Sequence, residues 1–361
     1  MTGLTEFFSR MLAGSIFAAA GLACFITLFY RWLVRIKHQP YKRRLIITAF
    51  LVSVFPAFIA GYHLDLSIWT LVPGAFAVTF FISSTCLRLV FKKMYRADPP
   101  IAVINKNFAI RRPVTTFDFA IAHYQATLSR SQTPALRVAH LSDLHLHDKV
   151  PLEYYKTVIA ATNRFRPDII FITGDIMTEG GAPSLIGDVL GLLRAELGVF
   201  AVSGNHDLWF GVENMAKALE SVGIVHVGNA GKAVRTNDGS RILVCGYEGP
   251  WNHDEIDMPE QEVSDTIFFL THTPDNVFKL RNHGADAVFA GHCHAVQLRL
   301  PGMGSVVTPS IYGKRFEHGH FMVGETHLFV SSGVGSGSPG FRLYCQPDIF
   351  IIDFKGCQNE T

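Results

Sequence analysis

Five short segments of this chain carry side chains that hold metal ions. They are Ser142-Asp143-Leu144-His145, Thr173-Gly174-Asp175, Gly204-Asn205-His206-Asp207, Thr271-His272-Thr273 and Gly291-His292-Cys293-His294. Their donors are carboxylate and amide oxygens and imidazole nitrogens, a set that suits divalent first-row ions. A single apolar run ending in a histidine is an accident of composition. Five in succession, each ending in such donors, describe a centre where two cations activate water against an ester.

Asp143 and His145 stand two residues apart, as do His292 and His294. In an extended chain that spacing sends both side chains the same way, so each pair can share an ion. Asp175 sits on a glycine turn, and its two oxygens can bridge two cations. Asn205 adds a neutral amide oxygen, and His206 beside it is a spare imidazole. Cys293 lies between two ligand positions; its side chain is expected to point away, into packing.

The elements that must position these groups alternate. Strand-like runs over 137–141, 168–172 and 199–202 interleave with helical patterns over 154–165, 184–196 and 212–222. Runs over 233–236 and 242–245 flank Asn237-Asp238-Gly239, a hairpin signal. Further strand-like runs cover 267–270, 287–290, 328–330 and 349–352. The pattern predicts an α/β sandwich of two sheets covered by helices. Each ligand cluster begins where a strand ends, and open α/β sheets bind ligands beyond the carboxyl ends of their strands. Segments distant in sequence are therefore expected to converge.

The order Asp-x-His, Gly-Asp, Gly-Asn-His-Asp, lone His and Gly-His-x-His resembles the calcineurin-like metallophosphoesterase superfamily. The resemblance runs from about Arg137 to the C-terminus; each motif alone is weak, and the ordered set is specific. It implies a metallophosphoesterase-type two-sheet α/β sandwich holding two divalent metal ions. By that resemblance Asp143, His145 and His294 bind one ion. Asn205, His272 and His292 bind the other, and Asp175 bridges both. His206 is then the catalytic imidazole, stabilising charge or protonating the leaving group. Asp207 orients a neighbouring group in the same catalytic segment. Mn2+ is the favoured ion, and Fe2+ or Zn2+ suit the same donors.

Segments 297–301 and 330–336, with Pro309-Ser310 and Tyr312-Gly313, resemble the membrane-associated bacterial branch of that superfamily. The branch includes UDP-2,3-diacylglucosamine pyrophosphatase-like enzymes. It usually reads Gly-His-Thr-His-Gly-Gly-Gln at the last motif. Here the two glycines are Ala295 and Val296, which leaves the backbone beside the ligands less free. His140, inside a strand, reads as core, and His147 and Asp148 read as a solvated loop. Trp251, Asn252 and His253 are candidates for a substrate wall. His318 and His320 lie near the basic pair Lys314 and Arg315, which either receives a phosphate or lipid head group or belongs to a plain surface turn.

Only 17% of the 361 residues are charged, and the apolar excess sits in the first hundred. The uncharged runs 11–30, 45–62 and 66–87 each approach the roughly 20 residues that cross a bilayer. They predict transmembrane helices over about 11–34, 45–62 and 66–91. Arg31, Arg35, Lys37, Lys42, Arg43 and Arg44 follow the first run, and Arg88, Lys92, Lys93 and Arg96 follow the third. Positive charge marks the cytoplasmic side, so the rest of the chain is expected there. A re-entrant pair in place of spans two and three leaves that face unchanged. The net charge of +2 is too small to imply nucleic acid. Six cysteines without a C-x-x-C pair give no disulfide framework and no thiolate zinc site.

The expected division is a transmembrane region over 1–97, a membrane-proximal junction over 98–136 and a catalytic domain over 137–361. Within the junction, 117–128 reads as a helix on the membrane surface or as ordinary strand and helix. The expected protein is a dinuclear phosphoesterase integral to the bacterial inner membrane, its catalytic domain facing the cytoplasm. Its expected partners are a phosphorylated or nucleotide-linked lipid substrate and membrane lipids. The alternative is a general phosphodiesterase or phosphatase for small or nucleotide substrates.

Overall fold

The structure, a computed structural model, describes all residues except 1, 31–32, 34–40, 65, 96, 107–112, 130–134, 253–254, 259, 262–265, 301–303, 306–307, 338–339 and 357–361. It divides into two compact units, Met1–Met94 with Pro309–Arg315, and Tyr95–Thr308 with Phe316–Thr361. His253 lies outside the described residues.

The first unit holds α1 (Thr2–Cys24), continued by a π-helical turn over Phe25–Tyr30, then α2 (Lys42–Leu64) and α3 (Ile68–Met94). α1 starts well before the uncharged run that opens at Met11. Helix formation needs no apolar residues, and the Glu6–Arg10 pair at 2.6 Å supports its first turns. All three helices are long and apolar enough to cross a membrane. They expose Leu51, Val52, Phe55, Trp69 and Val72, residues that a water-facing helix would turn inward. Three such helices indicate membrane association.

The second unit contains two sheets. The first, of seven strands, is built from β1 (Ala102–Ile104), β2 (Ala120–Leu128), β3 (Leu136–Leu141), β4 (Ile169–Thr173), β5 (Gly198–Val202), β6 (Ile224–His226) and β15 (Asp348–Gly356). Its order is β1-β2-β15-β3-β4-β5-β6. The second, of six, uses β7 (Gly231–Arg235), β8 (Arg241–Tyr247), β9 (Thr266–Thr271), β10 (Ala287–Ala290), β13 (Gly319–Val323) and β14 (Thr326–Val330). Its order is β13-β14-β10-β9-β8-β7. A short pair, β11 (Arg299–Leu300) with β12 (Gly304–Ser305), stands apart. The helices are α4 (Leu152–Arg164), α5 (Val212–Glu220) and α6 (Val277–Asn282).

Alternation along each strand builds two cores. Ile169 and Phe171 of β4 join Val138, Phe268, Phe289 and Phe350 between the sheets. Ile170 and Ile172 turn to the other face, against Tyr155, Val158 and Leu219. Both faces of the central strands are buried, which is why they read as continuous apolar runs.

One open reading is resolved here and one expectation gives way. Of its two readings the stretch 117–128 takes the strand and not the surface helix: β2 pairs in parallel with β15 along its whole length, Ala120↔Asp348 to Leu128↔Gly356. Its later residues alternate buried and exposed, as an outer strand's should. The expected helix over 184–196 shrinks to one wide turn, Ile186–Leu190. Gly187 and Gly191 weaken it, and the Asn163 side chain captures Leu192 O and Arg194 N instead.

Candidate metal centre

All five motif segments leave the carboxyl ends of parallel strands. β3, β4 and β5 are parallel neighbours in one sheet, and β9 and β10 in the other. The sandwich therefore brings ten-residue-scale and hundred-residue-scale separations to one rim. Asp143, His145, Asp175 and His294 offer atoms within 4.8 Å of one another, and so do Asp175, His272 and His292. Asp175 belongs to both groups.

Hydrogen bonds aim four of the donors. Asp143 Oδ2 accepts from Ser142 Oγ at 2.6 Å and from the His292 N–H at 3.0 Å. That leaves Oδ1 toward His294 Nε2, 3.1 Å away. Asp175 Oδ1 accepts the His206 N–H at 2.8 Å, while Oδ2 faces His272 Nε2 at 3.2 Å and His145 Nε2 at 3.7 Å. His272 Nδ1 donates to Thr173 O at 2.7 Å, which turns Nε2 inward. With the Gln297 amide oxygen toward His294 Nδ1, at 3.2 Å, and accepting from the Gly337 N–H at 2.8 Å, the inward nitrogen of His294 is likewise a lone pair. These outer partners fix tautomer and ring orientation.

The donor set fits divalent ions. His145 Nε2 faces His294 Nε2 at 3.0 Å, and His292 Nδ1 faces His272 Nε2 at 3.2 Å. Acceptors crowded this closely need a cation or a proton between them. Asp143 Oδ1 and Asn205 Oδ1 are buried without a hydrogen-bond partner among the described residues. Burial opposes charge on both carboxylates, yet His294 beside Asp143 and His272 beside Asp175 hold them well below the usual range. Burial drives His145 down to about 3, against Asp175, so its ring is neutral and free to ligate. Burial also pulls on His272, but Asp175 outweighs it and pushes the group up to about 9. A cation arriving there displaces that proton.

Backbone strain concentrates at the same places. Asp143, His145, Asp175, His292 and His294 all have positive φ, between 46° and 64°. Non-glycine residues rarely adopt this conformation, and its clustering marks a functional site. Gly291 is required by close approach: a Cβ there would lie 1.9 Å from Ser142 Oγ and 2.1 Å from Asp143 Oδ2. Ala295 and Val296 stand at φ 46° and 52°, a conformation that glycine adopts freely. Left-handed backbone costs about 1–2 kcal/mol per residue, and glycine returns about 0.4–1 kcal/mol through the unfolded chain. The double substitution Ala295→Gly/Val296→Gly is thus expected to stabilise the catalytic unit by about 1 kcal/mol, raising its thermal midpoint by about 2–4 °C. A lower midpoint in a melting curve would mean that side-chain packing outweighs the strain.

The remaining residues take definite places. The His206 ring packs edge-on against His145, centroids 4.9 Å apart. Asp207 is buried and accepts three N–H groups, from Ile176, Met177 and Gly204. Burial, then the charge of Asp175, raise it to about 7 despite those bonds. It ties two motif loops together. Trp251 forms a wall over His292 and His272, at ring distances of 4.8 and 5.5 Å. Cys293 is buried in packing. His140 is buried against Phe289 and Phe350 and bonds Thr173 Oγ1 at 2.8 Å. His318 pairs with Asp348 at 2.5 Å, and His320 stacks on Phe329, so neither offers a phosphate site. His147 pairs with its neighbour Asp148 in a local turn.

Some supports carry no motif. Arg342 is fully buried and donates to Ser332 O at 2.8 Å and Gly333 O at 3.1 Å, with Nη2 3.2 Å from His294 Nδ1. Tyr155 donates to His145 O at 2.9 Å and Tyr154 to Val334 O at 2.7 Å. Glu248 accepts the Ser203 N–H at 2.6 Å beside His226, bracing the loop before Gly204. A lone arginine after the glycine- and serine-rich stretch 331–337 was the available signal for Arg342.

Two mixed sheets, whose parallel strands bring paired Asp/His groups to a common rim, define a metal-dependent phosphoesterase. The chain belongs to the calcineurin-like phosphoesterase family, whose model matches residues 136–296. It is 30% identical to the uncharacterized metallophosphoesterase YkuE of Bacillus subtilis, over 61% of this chain and 79% of that protein. It is 29% identical to the phosphodiesterase YaeI of Escherichia coli, over 65% of this chain and 88% of that one. It is 24% identical to the UDP-2,3-diacylglucosamine pyrophosphatase LpxG of Chlamydia muridarum, over 60% and 83%. The protein is a metal-dependent hydrolase of phosphoester bonds.

Proposed function

We propose that this protein hydrolyses a phosphoester or pyrophosphate bond of a phosphorylated or nucleotide-linked lipid, such as UDP-2,3-diacylglucosamine. The observation that carries this reading is the presence of three apolar helices on the hydrolase chain. An enzyme for soluble substrates gains little from such an anchor; one for amphiphiles gains access to them. The basic flanks of α1 and α3 favour the cytoplasmic face of a bacterial inner membrane.

Asp143, His145, Asp175 and His294 would hold one divalent ion, and Asp175, Asn205, His272 and His292 the other, Mn2+ being favoured. Such a pair supplies Lewis-acid stabilisation of phosphoryl oxygens and activation of water. His206, whose ring packs against His145, would stabilise the developing charge or protonate the departing oxygen. Asp207 keeps its loop in register, and Trp251 closes one side against water.

The test uses full-length protein in detergent with Mn2+. UDP-2,3-diacylglucosamine is expected to turn over faster than small phosphodiesters. The His206→Ala variant is expected to lose about 10²–10⁴-fold in kcat with metal content unchanged. Fast cleavage of the small esters alone would favour the general phosphodiesterase reading, and metal loss in the variant would place His206 among the ligands.

A further inference from the structure

A second site lies within the unit that holds the apolar helices. There the segment Pro309–Arg315 packs with α3. Between them is a cavity of about 200 Å³, lined among others by Ser83, Ser84, Arg88, Tyr312, Lys314 and Arg315. Its charged lining residues are all basic. Lys314 is only 7% exposed, and the Arg315 guanidinium lies 5.0 Å above the Phe91 ring. Neither is a loose surface cation. Three basic side chains lining one cavity attract an anion, and serine and tyrosine hydroxyls suit phosphate oxygens as well.

The same side of α3 continues in apolar form. Trp69, Pro73 and Phe76 line a second cavity, of about 760 Å³. Phe80, Ser83 and Leu87 line the basic one. These six positions step by four and three residues in turn, which places them on one helical stripe. From Phe76 to Arg88 the helix rises about 18 Å, slightly more than one leaflet of the roughly 30 Å hydrocarbon layer. A free phosphate would use only the basic end; a lipid would use the whole stripe.

We propose that Arg88, Lys314 and Arg315 bind the phosphate of an anionic membrane phospholipid whose acyl chain lies along this stripe of α3. The site requires the helices to lie in a bilayer but not the hydrolase to act on lipids, so either reading can fail alone.

Full-length protein in mild detergent is titrated with phosphatidylglycerol, phosphatidylcholine and inorganic phosphate, and bound lipid is read by native mass spectrometry. Phosphatidylglycerol is expected to be retained at least about tenfold better than phosphatidylcholine. The Lys314→Gln/Arg315→Gln variant is expected to lose that preference while keeping wild-type metal content and hydrolysis of a soluble p-nitrophenyl phosphodiester. Arg88→Gln, which changes only the helix, is expected to lose about fivefold. Equal retention of the two lipids overturns the proposal. So does a preference that survives both variants, or displacement of phosphatidylglycerol by inorganic phosphate at similar concentration.

Discussion

Asp175→Asn is expected to remove turnover and lower metal content together. Asp175 Oδ2 stands between His272 and His145, at 3.2 and 3.7 Å, and its other oxygen takes the His206 N–H. Asparagine keeps the shape but removes the charge, and only one of its two terminal atoms presents a lone pair to a cation. Losing an outer partner at a metal site already costs about 10–100-fold. Losing the shared carboxylate is therefore expected to exceed about 10³-fold in kcat, with metal analysis falling from two ions per chain to one or none. The metal-free protein should lose stability as well. His272 beside Asp175 holds its carboxylate well below the usual range, so that charge favours the fold, and the variant's metal-free melting point should fall. A variant with two ions and a normal rate would remove the bridging role proposed for this residue.

Arg342→Met should cost the catalytic unit about 1–3 kcal/mol for each buried carbonyl it leaves without a donor. The guanidinium holds the carbonyls of Ser332, Gly333 and Gly335 and reaches the ring of His294. Methionine fills similar volume but leaves those carbonyls unpaired in a buried place. Gly333 and Gly335 press against Asp143 and Leu144, so movement of their loop reaches the first motif. The expected readouts are a lower urea midpoint and faster thiol labelling of Cys345, which is buried beside Arg342. Loss of the ion on the Asp143–His294 side should accompany them. Wild-type labelling and full metal content would show that the loop supports itself.

Much of the centre was legible in the linear chain. Glycine turns after apolar runs are local features, so Asp143, Asp175, Asn205, His272, His292 and His294 could be named with the strand each one follows. The spans could be named for the same reason, because about twenty uncharged residues in a row suffice. What stayed open or failed was equally local in origin. Residues 117–128 admitted both a surface helix and a strand, and pairing with β15, more than two hundred residues later, decided the strand. Residues 184–196 kept a helical period that two glycines and the Asn163 side chain defeat.

The sequence by itself determined the inventory: which donors exist, their order, and that each leaves a strand at its carboxyl end. Only the tertiary structure decided which oxygen or nitrogen of each donor faces inward, through partners such as Ser142, Thr173, Gln297 and the Asp143-bound N–H of His292. It alone placed Arg342 behind His294 and brought Lys314 to the end of α3. The physical reason is range. Apolar period and turn chemistry act over a few residues and are written in order, whereas hydrogen-bond partners and shared cavities depend on segments dozens to hundreds of residues apart.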